Sequence, residues 1–290
     1  MSEIIDLLTA AVAWEAEGDH VGIVLSGGLD SSTVACLAER VRPAMPLFTG
    51  YYDEAGFDER RYAHLVGSGR HHDVRITPED FVEHFDAMNA RLRGPARMQG
   101  MGAFGQYMVA RAASQFTDAV LSGEGSDELF GGYARTLLAA GEPLPDGYEG
   151  YRPPEGYPVH HLEAALAWDW ERLPDLLAVD EQMCGAFSLQ SRAPFTNPSV
   201  IAYALSLPPS ERVGKRHLRR AVRGIVPDEI VDRTDKMGFP APLALWAQRD
   251  PVRTFVMDRL GYLPDPARPW DRGWWRDLLG PEPQPREEAA

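Results

Sequence analysis

Two short glycine-rich segments carry most of the reactive side chains in this 290-residue chain. The first, Ser26-Gly27-Gly28-Leu29-Asp30-Ser31-Ser32, joins an apolar run to a helical pattern. Adjacent glycines let a backbone turn tightly, with no Cβ in the way of a ligand. Ser31 and Ser32 open the following helix, whose N-terminal amides favour an anion such as phosphate. Asp30 conflicts with that, because a carboxylate repels phosphate. A cation between the two resolves the conflict, and Mg2+ is the simplest choice. The second segment is Leu121-Ser122-Gly123-Glu124-Gly125-Ser126-Asp127-Glu128-Leu129-Phe130-Gly131-Gly132-Tyr133. Its acids Glu124, Asp127 and Glu128 need cations or basic side chains nearby. Asp127 is therefore the candidate to share the metal with Asp30. Neither segment has the Gly-Lys-[Ser/Thr] of a Walker loop.

The elements around these segments follow from periodicity. Residues 3–17 carry Ile4, Leu7, Leu8, Ala11 and Val12 at helical spacing. His20–Leu25 reads as a short buried strand, and Pro46–Tyr51, His72–Ile76 and Asp118–Ser122 are further strand candidates. Ser31–Arg40, Glu59–Val66, Pro78–Leu92 and Ala103–Phe116 read as helices. Strands alternating with helices imply an α/β fold, a parallel sheet with helices on both faces. Residues 1–135 form the expected nucleotide-binding core, and 136–159 a Gly-, Pro- and Tyr-rich loop insertion. Residues 160–280 are expected to be mostly helical, and 281–290 a disordered tail. The two glycine-rich turns should lie at the carboxyl ends of neighbouring strands, where the strand order reverses.

Composition narrows the partners. The chain has 29 basic and 43 acidic residues, a net charge of −14. Nucleic acid is an unexpected partner, because phosphate contacts need a basic face. Cys36 and Cys184 fit no metal spacing, and a reducing cytoplasm is the expected setting. No apolar run is long enough to span a membrane. The segment Met1–Asp6 lacks the positive start of a signal peptide.

The first segment resembles the pyrophosphate-binding loop, SGGxDSS, of PP-loop ATP pyrophosphatases. The second is similar to the SGEGSDE-FGGY block of the asparagine synthetase family. Further segments resemble that family in order and spacing. Asp180–Pro194 with Phe195 looks like its ExRVPFLD region, and Gly214-Lys215 to Leu218-Arg219 like GKxxLR. Lys236-Met237-Gly238-Phe239-Pro240, with Pro242 and Trp246, looks like KxGFPxP–W. Gln190 and Asn197 depart from the usual glutamate and aspartate, and Gly94–Gln106 does not look like the usual aspartate-recognition region. Two-domain members begin with a glutaminase whose nucleophile is the N-terminal cysteine. Ser2 stands at that position, so the resemblance implies a synthetase unit that does not hydrolyse glutamine by that route.

The resemblance implies an ATP-dependent, AMP-forming ligase. A carboxylic acid is adenylated, and ammonia or an amine attacks the acyl-adenylate. Ser26, Gly27, Gly28, Ser31 and Ser32 would hold pyrophosphate, with Asp30 and Asp127 holding Mg2+. Ser122, Gly123 and the backbone near Gly50 would face the nucleoside. Lys236 is the candidate for charge stabilisation at the adenylate, and Glu124 the candidate acid/base or amine-orienting group. Lys215, Arg216, Arg219 and Arg220 read either as a solvated helix face or, for Lys215 or Arg219, as phosphate ligands. Arg192 reads equally as an ion-pair partner or a site residue. The nitrogen source is left open: free ammonia, a separate glutaminase subunit, or an amine within the substrate, as in β-lactam synthetases and lasso-peptide cyclases. A PP-loop tRNA-modifying enzyme and a non-catalytic nucleotide-binding protein are the competing classes.

Overall fold

A computed structural model describes every residue except 1–2, 19, 68–69, 100–101, 146–147, 149–150, 237–240, 267–272 and 283–290. The chain opens with helix α1 (Glu3–Glu15), strand β1 (Val21–Val24), α2 (Leu29–Val41), β2 (Leu47–Tyr51), the short α3 (Arg60–Ala63) and β3 (His71–Arg75). Helices α4 (Pro78–Asn89), α5 (Ala96–Gln99) and α6 (Ala103–Ala113) lead to β4 (Ala119–Leu121). Next come α7 (Ser126–Phe130), α8 (Ala134–Ala139), α9 (Leu162–Trp170), α10 (Leu173–Gly185) and β5 (Gln190–Arg192). Helices α11 (Pro198–Ser206), α12 (Pro209–Arg212), α13 (Arg216–Ala221), α14 (Asp228–Val231), α15 (Leu243–Trp246), α16 (Val252–Leu260) and α17 (Gly273–Leu279) follow.

The expected α/β class holds. The five strands pair in parallel in the order β3-β2-β1-β4-β5. Helices cover both faces: one apolar layer packs α1, α2, α11, α13 and α14, the other α4, α6, α10, α16 and α17. Local chemistry sets some boundaries. Thr77 accepts from the Asp80 amide at 3.2 Å and Asp80 accepts from the Thr77 amide at 2.9 Å. This reciprocal cap, with Pro78 in the first turn, starts α4.

Strand β5 was not foreseen within the helical half. It is short and polar, and it lies at the sheet edge. Arg192 ties it to the end of α1, donating to the Glu15 and Glu17 carbonyls at 2.6 and 2.8 Å. The described residues of 141–161 hold no helix or strand, while Ala134–Ala139 is helical. Trp274 and Trp275 are buried, and Trp275 meets Phe85 edge-on at 5.9 Å. Trp270 and most of the 281–290 tail lie outside the described residues. Among the described residues, no helix is long and apolar enough to cross a membrane.

Candidate active site

Strand order reverses between β1 and β4, which pair through Val21–Ala119, Gly22–Val120 and Ile23–Leu121. Both glycine-rich turns leave the carboxyl ends of these strands, so they meet at the switch point. They touch backbone to backbone. A Cβ on Gly123 would lie 2.7 Å from the Ser31 nitrogen and 2.8 Å from Asp30 Cβ. The first turn closes on its own hydroxyls: Ser26 Oγ and Ser31 Oγ are 3.0 Å apart, and Ser31 Oγ donates to the Gly28 carbonyl at 3.3 Å. Ser26 and Asp30 are half-buried, whereas Ser31 and Ser32 are buried. Ser32 Oγ has no hydrogen-bond partner among the described residues.

Asp30 and Asp127 converge on one point. Asp30 Oδ2 and Asp127 Oδ1 each lie 2.5 Å from Lys215 Nζ. The two oxygens are thus within twice that distance of each other, near enough to ligate one ion. A cation already fits where the sequence calls for Mg2+, and the hard oxygen donors suit that metal. Ser126 donates to Asp30 Oδ1 at 2.6 Å and orients the carboxylate. Lys215 is buried. Burial opposes its charge, but Asp127 and Asp30 outweigh burial and hold the ammonium above its ordinary range. The lysine arrives through two successive left-handed residues, Gly214 at φ 63 and Lys215 at φ 58. A left-handed lysine costs about 1–2 kcal/mol, offset here by its two ion pairs. Gly132 makes room: a Cβ there would sit 1.9 Å from Asp127 Oδ1 and 2.2 Å from Lys215 Cε.

Lys236 lies on the other side of the first turn. A Cβ on Gly28 would be 3.1 Å from Lys236 Cε. Lys236 pairs with Glu59, which also receives Arg233. Arg233 further donates to Asp235 at 2.6 Å and to the Gly27 carbonyl at 3.4 Å. Burial pushes the Lys236 ammonium below its ordinary range, against the pull of Glu59. Met237–Pro240, which carry part of the expected motif, lie outside the described residues.

The acids of the second turn are held apart by environment. Glu124 is pushed well above the carboxylate range, first by burial and then by Asp180, Glu128, Asp127 and Asp30. Among the described residues no arginine pairs with it. Glu128 is 1% exposed and is pushed up to about 7 by burial and by Asp127. Tyr133 donates to its Oε1, while Oε2 has no hydrogen-bond partner among the described residues. Asp180, on α10, is raised to about 6 by burial. It accepts from Ser191 at 3.4 Å and from Ser122. Ser122 Oγ in turn accepts from the Glu124 amide at 3.4 Å, so Asp180 braces the exit from β4.

Gly50 sits on β2 beside β1 and pairs in register with Val74 of β3. The basic stretch around α13 divides. Lys215 faces the acids, but Arg216 pairs with Glu142 and Arg220 with Glu211. Arg219 donates to the Gly214 and Val231 carbonyls, which makes it a backbone brace. Arg192 is structural too, binding Gln190 Oε1 at 2.7 and 2.9 Å besides the end of α1. Asn197 caps α11 by accepting from the Ser199 amide at 3.0 Å, a task aspartate performs equally well. Sequence reasoning did not find Glu59, Arg233, Ser126 or Asp180. Ser126 and Asp180 had a signal, their places inside the second glycine-rich motif and at the start of the Asp180–Pro194 segment.

Comparison with known proteins follows the same lines. The asparagine synthase family model matches residues 3–146 and 144–281. A Mycobacterium tuberculosis protein named as a glutamine-hydrolysing asparagine synthetase is 28% identical over 84% of the chain and 48% of its own length. Glutamine-hydrolysing asparagine synthetase 1 of Bacillus subtilis is 26% identical over 79% of the chain and 48% of its own length. The Rattus norvegicus glutamine-hydrolysing asparagine synthetase is 30% identical over 74% and 38%. The chain spans about half the length, or less, of these relatives.

Proposed function

The chain belongs to the asparagine synthase family, and on that premise we propose that it is an ATP-dependent, AMP-forming amide synthetase. The observation that carries the reading is the convergence of Asp30 and Asp127 on one cation position at the switch point. Ser26, Gly27, Gly28, Ser31, Ser32 and Lys215 hold the pyrophosphate end of ATP, and Gly50, Ser122 and Gly123 face the nucleoside. Mg2+ bound by Asp30 and Asp127 supplies charge neutralisation for the phosphates. In the first step a carboxylate oxygen of the acid bonds to the α-phosphorus. The α–β phosphoanhydride bond breaks, and pyrophosphate leaves. Lys236, beside Gly28, stabilises the charge that builds on the α-phosphate. In the second step ammonia or an amine forms the C–N bond. The C–O bond to AMP breaks, and the nitrogen's proton passes to Glu124 or water. Burial and the neighbouring acids raise the Glu124 carboxyl above its ordinary range, which makes its carboxylate a stronger base than a solvated one. The unpaired thiols Cys36 and Cys184 accord with a cytoplasmic setting.

The test is a screen of carboxylic acids with ATP, Mg2+ and ammonium, reading AMP, pyrophosphate and amide. Release of ADP and phosphate instead would sink the reading. Replacing ammonium by primary amines, or by glutamine with and without a separate glutaminase, identifies the nitrogen donor. A single substrate carrying both acid and amine tests the cyclase alternative.

A further inference from the structure

We propose that Lys215 is the resident counter-ion of the metal site: its ammonium holds Asp30 and Asp127 together in the resting protein, keeps a bare divalent cation out, and yields only to a cation that arrives with phosphate. The inference rests on the metal and pyrophosphate reading above. Several features support it. One nitrogen lies 2.5 Å from an oxygen of each acid. The remaining Asp30 oxygen is taken by Ser126 at 2.6 Å. An ammonium is a compact point charge, the side-chain group nearest in kind to a bound metal ion. Lys215 reaches this position from a left-handed backbone and past a glycine whose Cβ would collide with it. The surrounding fold is shaped around a lysine placed there.

The consequence is a coupling between cation and phosphate. A bare cation must displace a buried ammonium, surrender part of its water shell, and leave the lysine without its acids. A cation bound to pyrophosphate brings anionic oxygens that give the ammonium a new partner. Divalent cation and phosphate thus each raise the other's affinity, and linkage makes the effect reciprocal. Lys215 turns a potential cation-binding pair of acids into a site selective for the metal–phosphate complex.

Equilibrium dialysis with Mn2+ as the probe tests this without any acid or amine substrate. The wild-type protein should retain little Mn2+ from Mn2+ alone and about one equivalent when pyrophosphate is added. Lys215→Met should bind Mn2+ alone about tenfold or more tightly than the wild type. In thermal melts, Mg2+ alone should raise the melting temperature of Lys215→Met but not that of the wild type. Wild-type retention of Mn2+ that is equally tight with and without pyrophosphate overturns the counter-ion role, while leaving the metal-site reading intact. So does a folded Lys215→Met that binds Mn2+ no better than the wild type. Failure of the wild type to retain Mn2+ even with pyrophosphate overturns both. If Lys215→Met does not fold, the wild-type comparison alone still decides.

Discussion

Lys236 and Asp180 are ionisable groups that meet the two glycine-rich turns from outside them. Lys236 sits beside Gly28 and is held there by Glu59. A preorganised cation of this kind is worth about 3–4 kcal/mol, or roughly 10²–10³ in rate. Lys236→Ala should bind ATP almost normally by calorimetry yet fail to form AMP in single turnover. Lys236→Arg should stay poor, because a planar guanidinium does not reproduce a point charge. Loss of ATP binding with an unchanged chemical rate would assign the lysine to binding instead. Asp180 acts through Ser122 on the loop that carries Glu124. Its carboxyl is raised from 3.8 to about 6 in the folded protein. The stability tied to its proton is therefore fully present below the unfolded value and lost as pH rises through about 6. Asp180→Asn keeps an acceptor for Ser122 and Ser191 without the charge. Above that pH it should be the more stable protein, by on the order of 1–3 kcal/mol, and the advantage should vanish in acid. Melting curves of both proteins across pH provide the check. A constant gap would mean that Asp180 does not titrate in that range.

At the scale of elements, the close approach of two turns is the feature most sensitive to substitution. Gly123→Ala drives a methyl group into the Ser31 amide and Asp30, which are not flexible side-chain ends. It should destabilise the protein by roughly 1–3 kcal/mol, as overpacking commonly does. It should also abolish pyrophosphate binding in the variant that remains folded. Gly56→Ala, at φ 87 with nothing within 4 Å, separates backbone strain from collision. Equal losses for the two would refute the contact argument. β1, β2 and β4 were legible because each is a compact, largely apolar or β-branched run, and two of them end in glycine-rich turns, whereas the polar β3 stood out only through its place between helical segments. β5 was not, since Gln190-Ser191-Arg192 has no strand signature and owes its place to Arg192 reaching α1. The convergence of Asp30 and Asp127 was legible, because carboxylates in such glycine-rich turns call for a cation between them. Lys215's partner choice was not legible, because helical spacing groups it with Arg216, Arg219 and Arg220. The left-handed Gly214-Lys215 turn removes it from that helix face. Glu59 and Arg233 were invisible for a simpler reason: their contact joins positions 174 apart.

For the whole molecule, the net charge of −14 is a source of self-repulsion. Added salt should therefore screen self-repulsion more than it weakens attraction, and the melting temperature should rise between low and moderate NaCl. A fall would show that the surface ion pairs dominate. The C-terminal helix α17 closes the second face of the sheet through Arg97, which donates to the Leu279 and Gly280 carbonyls at 2.9 and 3.0 Å. Arg97→Ala removes the Gly280 carbonyl's side-chain donor and leaves Leu279 only Asn89 Nδ2 at 2.9 Å, and it should cost about 1–3 kcal/mol in thermal melts. The Asp30–Lys215 pair joins residues 185 apart in the chain. During synthesis the first glycine loop leaves the ribosome long before that lysine does. Contacts of such range close late, after the entropy of ordering the intervening chain has been overcome. The pocket between the two turns is accordingly among the last parts of the molecule to assemble, and a polypeptide that stops short of residue 215 lacks the cation that pairs Asp30 with Asp127.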